Sequence, residues 1–187
     1  KRAKISNKQV INLLDESEFK ELADSTRHRI RLSMHDGSYD PFIPEMIAAA
    51  QKGKKVLVVL NTVRAALEVF EKIKNMGGEN SNFSTVLLHS RFTQGRRKEL
   101  EEQVYRYMPN HKKHSKTGCI VVSTQIVEAS LDLDADILFT DAAPADSLIQ
   151  RMGRVYRRYA RSSGNNAPSD VNVVIMIQKA KKDSGKG

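Results

Sequence analysis

Five arginines, Arg151, Arg154, Arg157, Arg158 and Arg161, stand within the twelve residues Gln150–Arg161, with no lysine among them. A solvated basic surface would use lysine as readily. Arginine's planar, permanently charged fork suits phosphate oxygens, and its charge can stabilise a phosphoryl group in transfer. On a helix, Arg151, Arg154 and Arg158 would share one face, and Arg154, Arg157 and Arg161 its neighbour. Gly153 interrupts the run. A glycine inside a helix costs about 1 kcal/mol relative to alanine, so its presence suggests close approach of another backbone or a ligand. Residue chemistry alone leaves two readings open, a phosphate site and a plain basic surface.

Other polar groups invite similar questions. Asp132, Asp134 and Asp136 alternate, but no glycine or distal glutamate completes a calcium loop, and no metal site is expected. His111 and His114 are separated by Lys112 and Lys113, which favours a solvated loop over a pair of metal ligands. His89 lies in Leu88-His89-Ser90-Arg91-Phe92, directly after an apolar run. Asp146 and Ser147 could cap the arginine-bearing helix. Cys119, the single cysteine, sits in Gly118-Cys119-Ile120-Val121-Val122 and reads as a buried strand residue. It excludes an internal disulfide and fits a reducing compartment, so a cytoplasmic location is expected.

The elements that must position these groups follow from periodicity. His28–Met34 alternates like a half-exposed edge strand. Pro44 can open a helix through Ala50, ended by Gly53. Lys55–Leu60 is a continuous apolar run, as in a strand buried on both faces. Val63, Ala66, Leu67, Phe70 and Ile73 recur at helical spacing up to Gly77-Gly78, and Thr85–Leu88 is a short buried strand. A helix from about Gln94 carries Leu100, Val104 and Met108 on one face and closes at Pro109. Cys119–Ser123 and Ile137–Thr140 are strands, Asp146–Arg154 a helix, Ser162–Ser169 a loop and Val171–Ile177 a last strand. The alternation predicts an α/β fold, a doubly wound, mainly parallel sheet flanked by helices. Such sheets bind ligands beyond the carboxyl ends of their strands. Asn61-Thr62, His89-Ser90-Arg91, Thr124-Gln125 and Thr140-Asp141 each follow a strand and should converge on one rim.

Of 187 residues, 31 are Lys or Arg and 22 Asp or Glu, a net charge of +9. That surplus favours polyanionic partners. No run approaches the ~18 apolar residues of a membrane span and no secretory signal opens the chain, so nucleic acid is the expected partner and no membrane is involved. The domain expected at 41–178 is flanked by a lead-in or linker over 1–40, with an edge strand and a helical turn around Val10–Leu14, and by a basic tail over 179–187. Lys1 in place of a methionine suggests a fragment or processed product.

The pattern Gln-Arg-x-Gly-Arg-x-x-Arg at Gln150, Arg151, Gly153, Arg154 and Arg157 resembles the last motif of superfamily 2 helicases. Ser123–Asp136 is similar to the motif before it. The combination Thr-Gln-x-x-Glu-x-Ser-Leu-Asp-x-Asp-x-Asp, then Thr-Asp-x-x-Pro-x-Asp-Ser-Leu-x-Gln-Arg-x-Gly-Arg, is narrower. It resembles the helicase of type I CRISPR interference, a motor that unwinds and helps degrade invading DNA. Leu60-Asn61-Thr62-Val63 and Leu88-His89-Ser90-Arg91-Phe92 match earlier motifs of that family in order. The resemblance covers Lys54 to about Arg158 and implies the second, C-terminal RecA-like lobe.

It also implies roles. Arg154 and Arg157 would reach across a lobe interface to ATP phosphates, Arg157 as arginine finger. Gln150, Gly153 and Asp132 would complete the nucleotide side, with Gln150 coupling it to the strand track and Asp132 near the ribose or a water. Thr124 would hold a phosphate of the tracked strand, lined also by Asn61, Thr62, Arg64, His89, Ser90 and Arg91. Ala129 and Ser130 replace the arginine and glycine frequent in related helicases, which points toward the DNA-acting branch. The implied cofactors are ATP and Mg2+, the metal held by the first lobe. The implied partners are that lobe, single-stranded DNA, an HD-type nuclease domain or subunit, and a crRNA-guided surveillance complex. No Gly-x-x-x-x-Gly-Lys-Ser/Thr phosphate loop is present, since Gly53-Lys54-Lys55 lacks the earlier glycine and the hydroxyl, so this chain alone should hydrolyse no ATP. Two other readings stay open, a lobe of an RNA helicase and a stand-alone basic nucleic-acid-binding module.

Overall fold

The computed structural model describes residues 27–78, 81–110, 116–157 and 168–180. The Val10–Leu14 turn, His111, His114, Arg158, Arg161, most of the Ser162–Ser169 loop and most of the basic tail lie outside them.

Six strands, β1 (Ile30–His35), β2 (Lys55–Val59), β3 (Phe83–Leu88), β4 (Gly118–Ser123), β5 (Ile137–Asp141) and β6 (Val173–Gln178), form one sheet in the order β1-β6-β5-β2-β4-β3. Every neighbouring pair is parallel, as the doubly wound expectation required. β2, between β4 and β5, is buried throughout, which is why its sequence is a continuous apolar run. A 3-10 turn at Asp40–Phe42 precedes α1 (Ile43–Gln51), followed by α2 (Val63–Gly77), α3 (Gln94–Tyr107), α4 (Ile126–Ser130) and α5 (Ala145–Met152).

Strand alternation sends side chains to two cores. On one face Val56, Val58, Ile120, Val122, Phe139 and Val174 pack with Met46 and Ala50 of α1 and with Val69 and Ile73 of α2. On the other, Leu57, Val59, Cys119, Val121 and Leu138 pack with Leu100 and Val104 of α3, Val127 of α4 and Leu148 of α5. Burial pushes the Cys119 thiol up to about 12, so it packs as a small apolar side chain and carries no thiolate chemistry.

Two glycines bring α1 close to the sheet. Gly53 has φ +80, and a Cβ there would stand 2.5 Å from the Lys116 carbonyl oxygen. At Gly118 a Cβ would stand 1.8 Å from the Ala50 carbonyl oxygen, so β4 begins in direct backbone contact with the end of α1.

Three elements differ from expectation. β1 is an edge strand, but its alternation is inverted, because Ile30, Leu32 and Met34 point outward at 50%, 65% and 62% exposure. His35 is buried instead and stacks obliquely on Tyr39, ring centroids 5.1 Å apart. α4, five residues long, is too short for its periodicity to register. α5 stops at Met152 rather than Arg154, so Arg151, Arg154 and Arg157 do not share helical faces. Among the described residues, no other element comes close to Gly153. The nearest atoms to a Cβ there are the Ile149 and Gln150 carbonyl oxygens of its own last turn, at 3.2 and 3.3 Å. Gly153 ends the helix and does not make room for a second backbone.

Candidate functional site

Because the sheet is parallel, the segments leaving β2, β3, β4 and β5 emerge on one rim. Asn61, after β2, is its hub. Its backbone N–H donates to Asp141 Oδ2 at 2.8 Å, and its side-chain amide donates to the Ala142 carbonyl at 2.8 Å. Its own carbonyl accepts from Gln125 Nε2 at 3.0 Å, and its Oδ1 accepts from Arg151 at 3.1 Å. Thr62 caps α2, its hydroxyl accepting from the Ala65 N–H at 3.1 Å. Arg64, one residue into α2, is exposed.

After β3, His89 is buried while Ser90 and Arg91 are exposed. The His89 ring stacks on Phe92 at 4.2 Å and 7°, and its Nδ1 accepts from the Arg91 N–H at 3.3 Å. Burial, then the Arg91 charge, holds the imidazole below its usual range, so His89 is neutral near pH 7. Thr124, after β4, is buried. The rim therefore presents Ser90, Arg91 and Arg64 to solvent, while Asn61 and His89 brace the loops that carry them.

Beneath Asn61 lies a charged group that sequence reasoning left out of the site. Arg151 is 1% exposed. Its Nε donates to Glu128 Oε1 at 2.8 Å, one terminal nitrogen to Thr140 Oγ1 at 2.8 Å and the Asp141 carbonyl at 3.2 Å, and the other to Asn61. An unpaired guanidinium at that depth would be very costly, and a carboxylate with several acceptors makes it tolerable. Asp141 accepts from the Tyr39 hydroxyl at 3.0 Å. Burial raises its carboxyl above the usual range, opposed by the Asn61 and Tyr39 hydrogen bonds. Desolvation and the Asp141 charge raise the Tyr39 phenol in turn.

The arginine segment continues beyond α5 as a turn. Tyr156 has φ +59, a left-handed conformation that an aromatic residue adopts at a cost of roughly 1 kcal/mol or more. Three contacts hold it there. The Tyr156 N–H donates to the Ala135 carbonyl at 3.0 Å, the Ala135 N–H donates to the Arg154 carbonyl at 2.9 Å, and Val155 is fully buried. The Arg157 N–H donates to Asp134 Oδ1 at 2.9 Å. The turn thus lies against the strip Asp132–Asp136, which explains the alternation there. Buried Asp134 fastens the turn, buried Asp136 accepts from the Lys55 N–H at 2.7 Å, and Asp132 stays outside.

Arg154 donates to the Glu128 carbonyl at 2.6 Å. Its Nε is buried with no hydrogen-bond partner among the described residues. Burial, followed by the Arg157 charge, lowers its affinity for its proton. Arg157 pairs with Asp132 in the open, side chains 28% and 62% exposed. Asp132 also accepts from Asn110 Nδ2 at 2.7 Å. Gln150 and Gly153 are exposed beside this turn.

The expected residues thus fall into two neighbouring sets. Arg154, Arg157 and Asp132 gather around the turn, Arg157 paired with Asp132, and the strand-end residues share the rim. Asp146 lies in the first turn of α5 as a favourable charge, without a side-chain cap bond. The joining residues Arg151, Glu128, Asp141 and Tyr39 were missed as a group, since Tyr39 and Asp141 lie 102 positions apart. The fixed Thr124-Gln125-x-x-Glu128 spacing was the one local signal pointing to Glu128.

The fold and rim together define a RecA-like lobe. The family described as CRISPR-associated nuclease/helicase Cas3, C-terminal, matches residues 52–160, and this chain belongs to it. The CRISPR-associated endonuclease/helicase Cas3 of Escherichia coli K12 is 39% identical over 121 residues, covering 64% of this chain and 13% of that protein. The T. fusca Cas3–AMPPNP crystal structure superposes with a TM-score of 0.73 at 22% identity, over 84% of this chain and 19% of its own. A chain of a CRISPR RNA-guided surveillance complex, pre-nicking, matches at TM-score 0.63 and 21% identity, over 86% of this chain and 20% of its own. This chain therefore spans a small part of the length of its relatives.

Proposed function

We propose that this chain is the lobe that closes the nucleotide site of an ATP-driven single-stranded-DNA translocase in CRISPR interference, a cytoplasmic antiviral system. Arg154 and Arg157 face nucleotide phosphates held by a first RecA-like lobe, which also supplies the Mg2+ ligands. The observation that carries this reading is the turn at Tyr156. It keeps two arginines side by side at a cost in backbone strain, one with a buried unpartnered Nε and the other in an exposed pair. An anion would satisfy the first, and the second can exchange Asp132 for a phosphate oxygen at little cost. The residues therefore fit the phosphates of ATP, whose hydrolysis supplies the free energy for movement.

Within the lobe, Arg157 acts as the arginine finger and Arg154 as a second positive charge, with Gln150, Gly153 and Asp132 bordering the nucleotide. Ser90, Arg91 and Arg64 face the strand, with Asn61, Thr62, His89 and Thr124 shaping the track. Preorganised positive charge is what a phosphoryl transition state requires, since it carries developing charge on its oxygens. A crRNA-guided complex would deliver the DNA, and an HD-type nuclease, fused or separate, would cut it.

The test is ATP hydrolysis by a motor that joins this lobe to a phosphate-loop lobe, with and without single-stranded DNA. DNA-stimulated hydrolysis is expected, with none from this chain alone. Stimulation by RNA only would reassign the lobe to an RNA motor. Salt-sensitive binding without any stimulated hydrolysis would leave only a basic binding module.

A further inference from the structure

We infer that Arg151 is a positioning residue linking the arginine turn to the strand-end rim, through a clamp made with Glu128, Thr140 and Asn61. The inference deepens the helicase reading and rests on it. The geometry places two arginines on one glutamate. Arg151 holds the Glu128 carboxylate and Arg154 the Glu128 backbone carbonyl. Any displacement of Arg154 toward an anion therefore pulls on Glu128, and with it on α4.

α4 in turn reaches Asn61 by two routes. At its start, Gln125 donates to the Asn61 carbonyl. Through Glu128, the Arg151 guanidinium donates to the Asn61 side chain. Arg151 is rigidly seated, because Thr140 Oγ1 and the Asp141 carbonyl take its remaining hydrogen bonds inside a fully packed setting. Groups tied together by several hydrogen bonds around a buried side chain move together rather than by small independent shifts. Gln150, exposed on the same helix, makes no such set of contacts among the described residues.

The clamp can be tested without touching residues that face nucleotide or strand. In a motor joining this lobe to a phosphate-loop lobe, Glu128→Gln keeps the hydrogen bond to Arg151 but removes its charge assistance, and Thr140→Val removes one acceptor, while the backbone grip on Arg154 stays. Either loss should raise the DNA concentration for half-maximal ATPase stimulation about tenfold, with the unstimulated rate within about twofold. In parallel, hydrogen exchange on this chain should show faster exchange of the Asn61 amide in Glu128→Gln, although the two residues are far apart in sequence.

Unchanged DNA dependence in a stimulated motor would overturn the inference, as would unchanged Asn61 exchange in the chain. A proportional fall of stimulated and unstimulated rates would reduce Arg151 to a purely structural role and overturn it too. A wild-type motor with no DNA stimulation would instead overturn the helicase reading, and the inference with it. The two failures are thereby distinguished.

Discussion

Arg157→Ala should separate catalysis from stability. The side chain is 28% exposed and pairs with an Asp132 side chain that is 62% exposed. Water and salt screen such a pair, which contributes about 0–1 kcal/mol. The structural bond at this position, from the Arg157 N–H to Asp134, belongs to the backbone and survives the substitution. The folded lobe should therefore lose no more than about 1 kcal/mol, a shift of roughly 2–4 °C in Tm for a domain of this size. Catalysis should suffer far more, since an arginine finger contributes on the order of 10³–10⁵ to kcat. The assay pairs thermal unfolding of this chain with DNA-stimulated ATP hydrolysis by the two-lobe motor. A kcat within about tenfold of wild type would refute the arginine-finger assignment. A large loss of stability would refute the claim that the Asp132 pair is replaceable.

Arg151→Met should behave in the opposite way, costing up to about 3–5 kcal/mol of folding free energy because the largely covered Glu128 carboxylate is left without its partner. Urea unfolding measures this, and pairing it with Glu128→Leu should restore much of the loss. Gly118→Ala drives a Cβ into the Ala50 carbonyl and should destabilise by roughly 3 kcal/mol or more, read as loss of soluble chain or a lowered urea midpoint. His89 makes stability pH-dependent. Its folded pKa lies below the unfolded value, so its contribution is intact above about 6.5 and is lost as pH falls from there through the folded pKa. Unfolding curves between pH 7.5 and 5, in steps of about half a unit, should show a decline that His89→Gln flattens.

Much of the architecture was legible in the chain. The apolar runs at Lys55–Leu60 and Cys119–Ser123 and the helical spacing from Val63 to Ile73 are local signals, and local periodicity transmits directly into a parallel α/β sheet. The arginine turn was only half legible. The motif marked Arg154 and Arg157, but their common setting came from a helix end at Met152 and a left-handed Tyr156, and neither leaves a periodic trace. β1 misled for a related reason. Alternation specifies that a strand has two unlike faces but not which of them the sheet covers, and here Ile30, Leu32 and Met34 lie outside.

By itself the sequence determined the fold class, the likeness to a CRISPR-associated helicase lobe and the identity of the arginines, because these depend on residue types at short, regular separations. Only the tertiary structure decided that Arg151 is buried with Glu128, that Asp141 joins Tyr39 to Asn61, and that Arg157 rests on Asp132 in the open. Burial and pairing depend on chain segments brought together by packing, often a hundred residues apart. The same side chain, arginine, becomes a structural clamp at 1% exposure and a replaceable surface cation at 28%, because the cost of an unpaired charge rises steeply as water is removed.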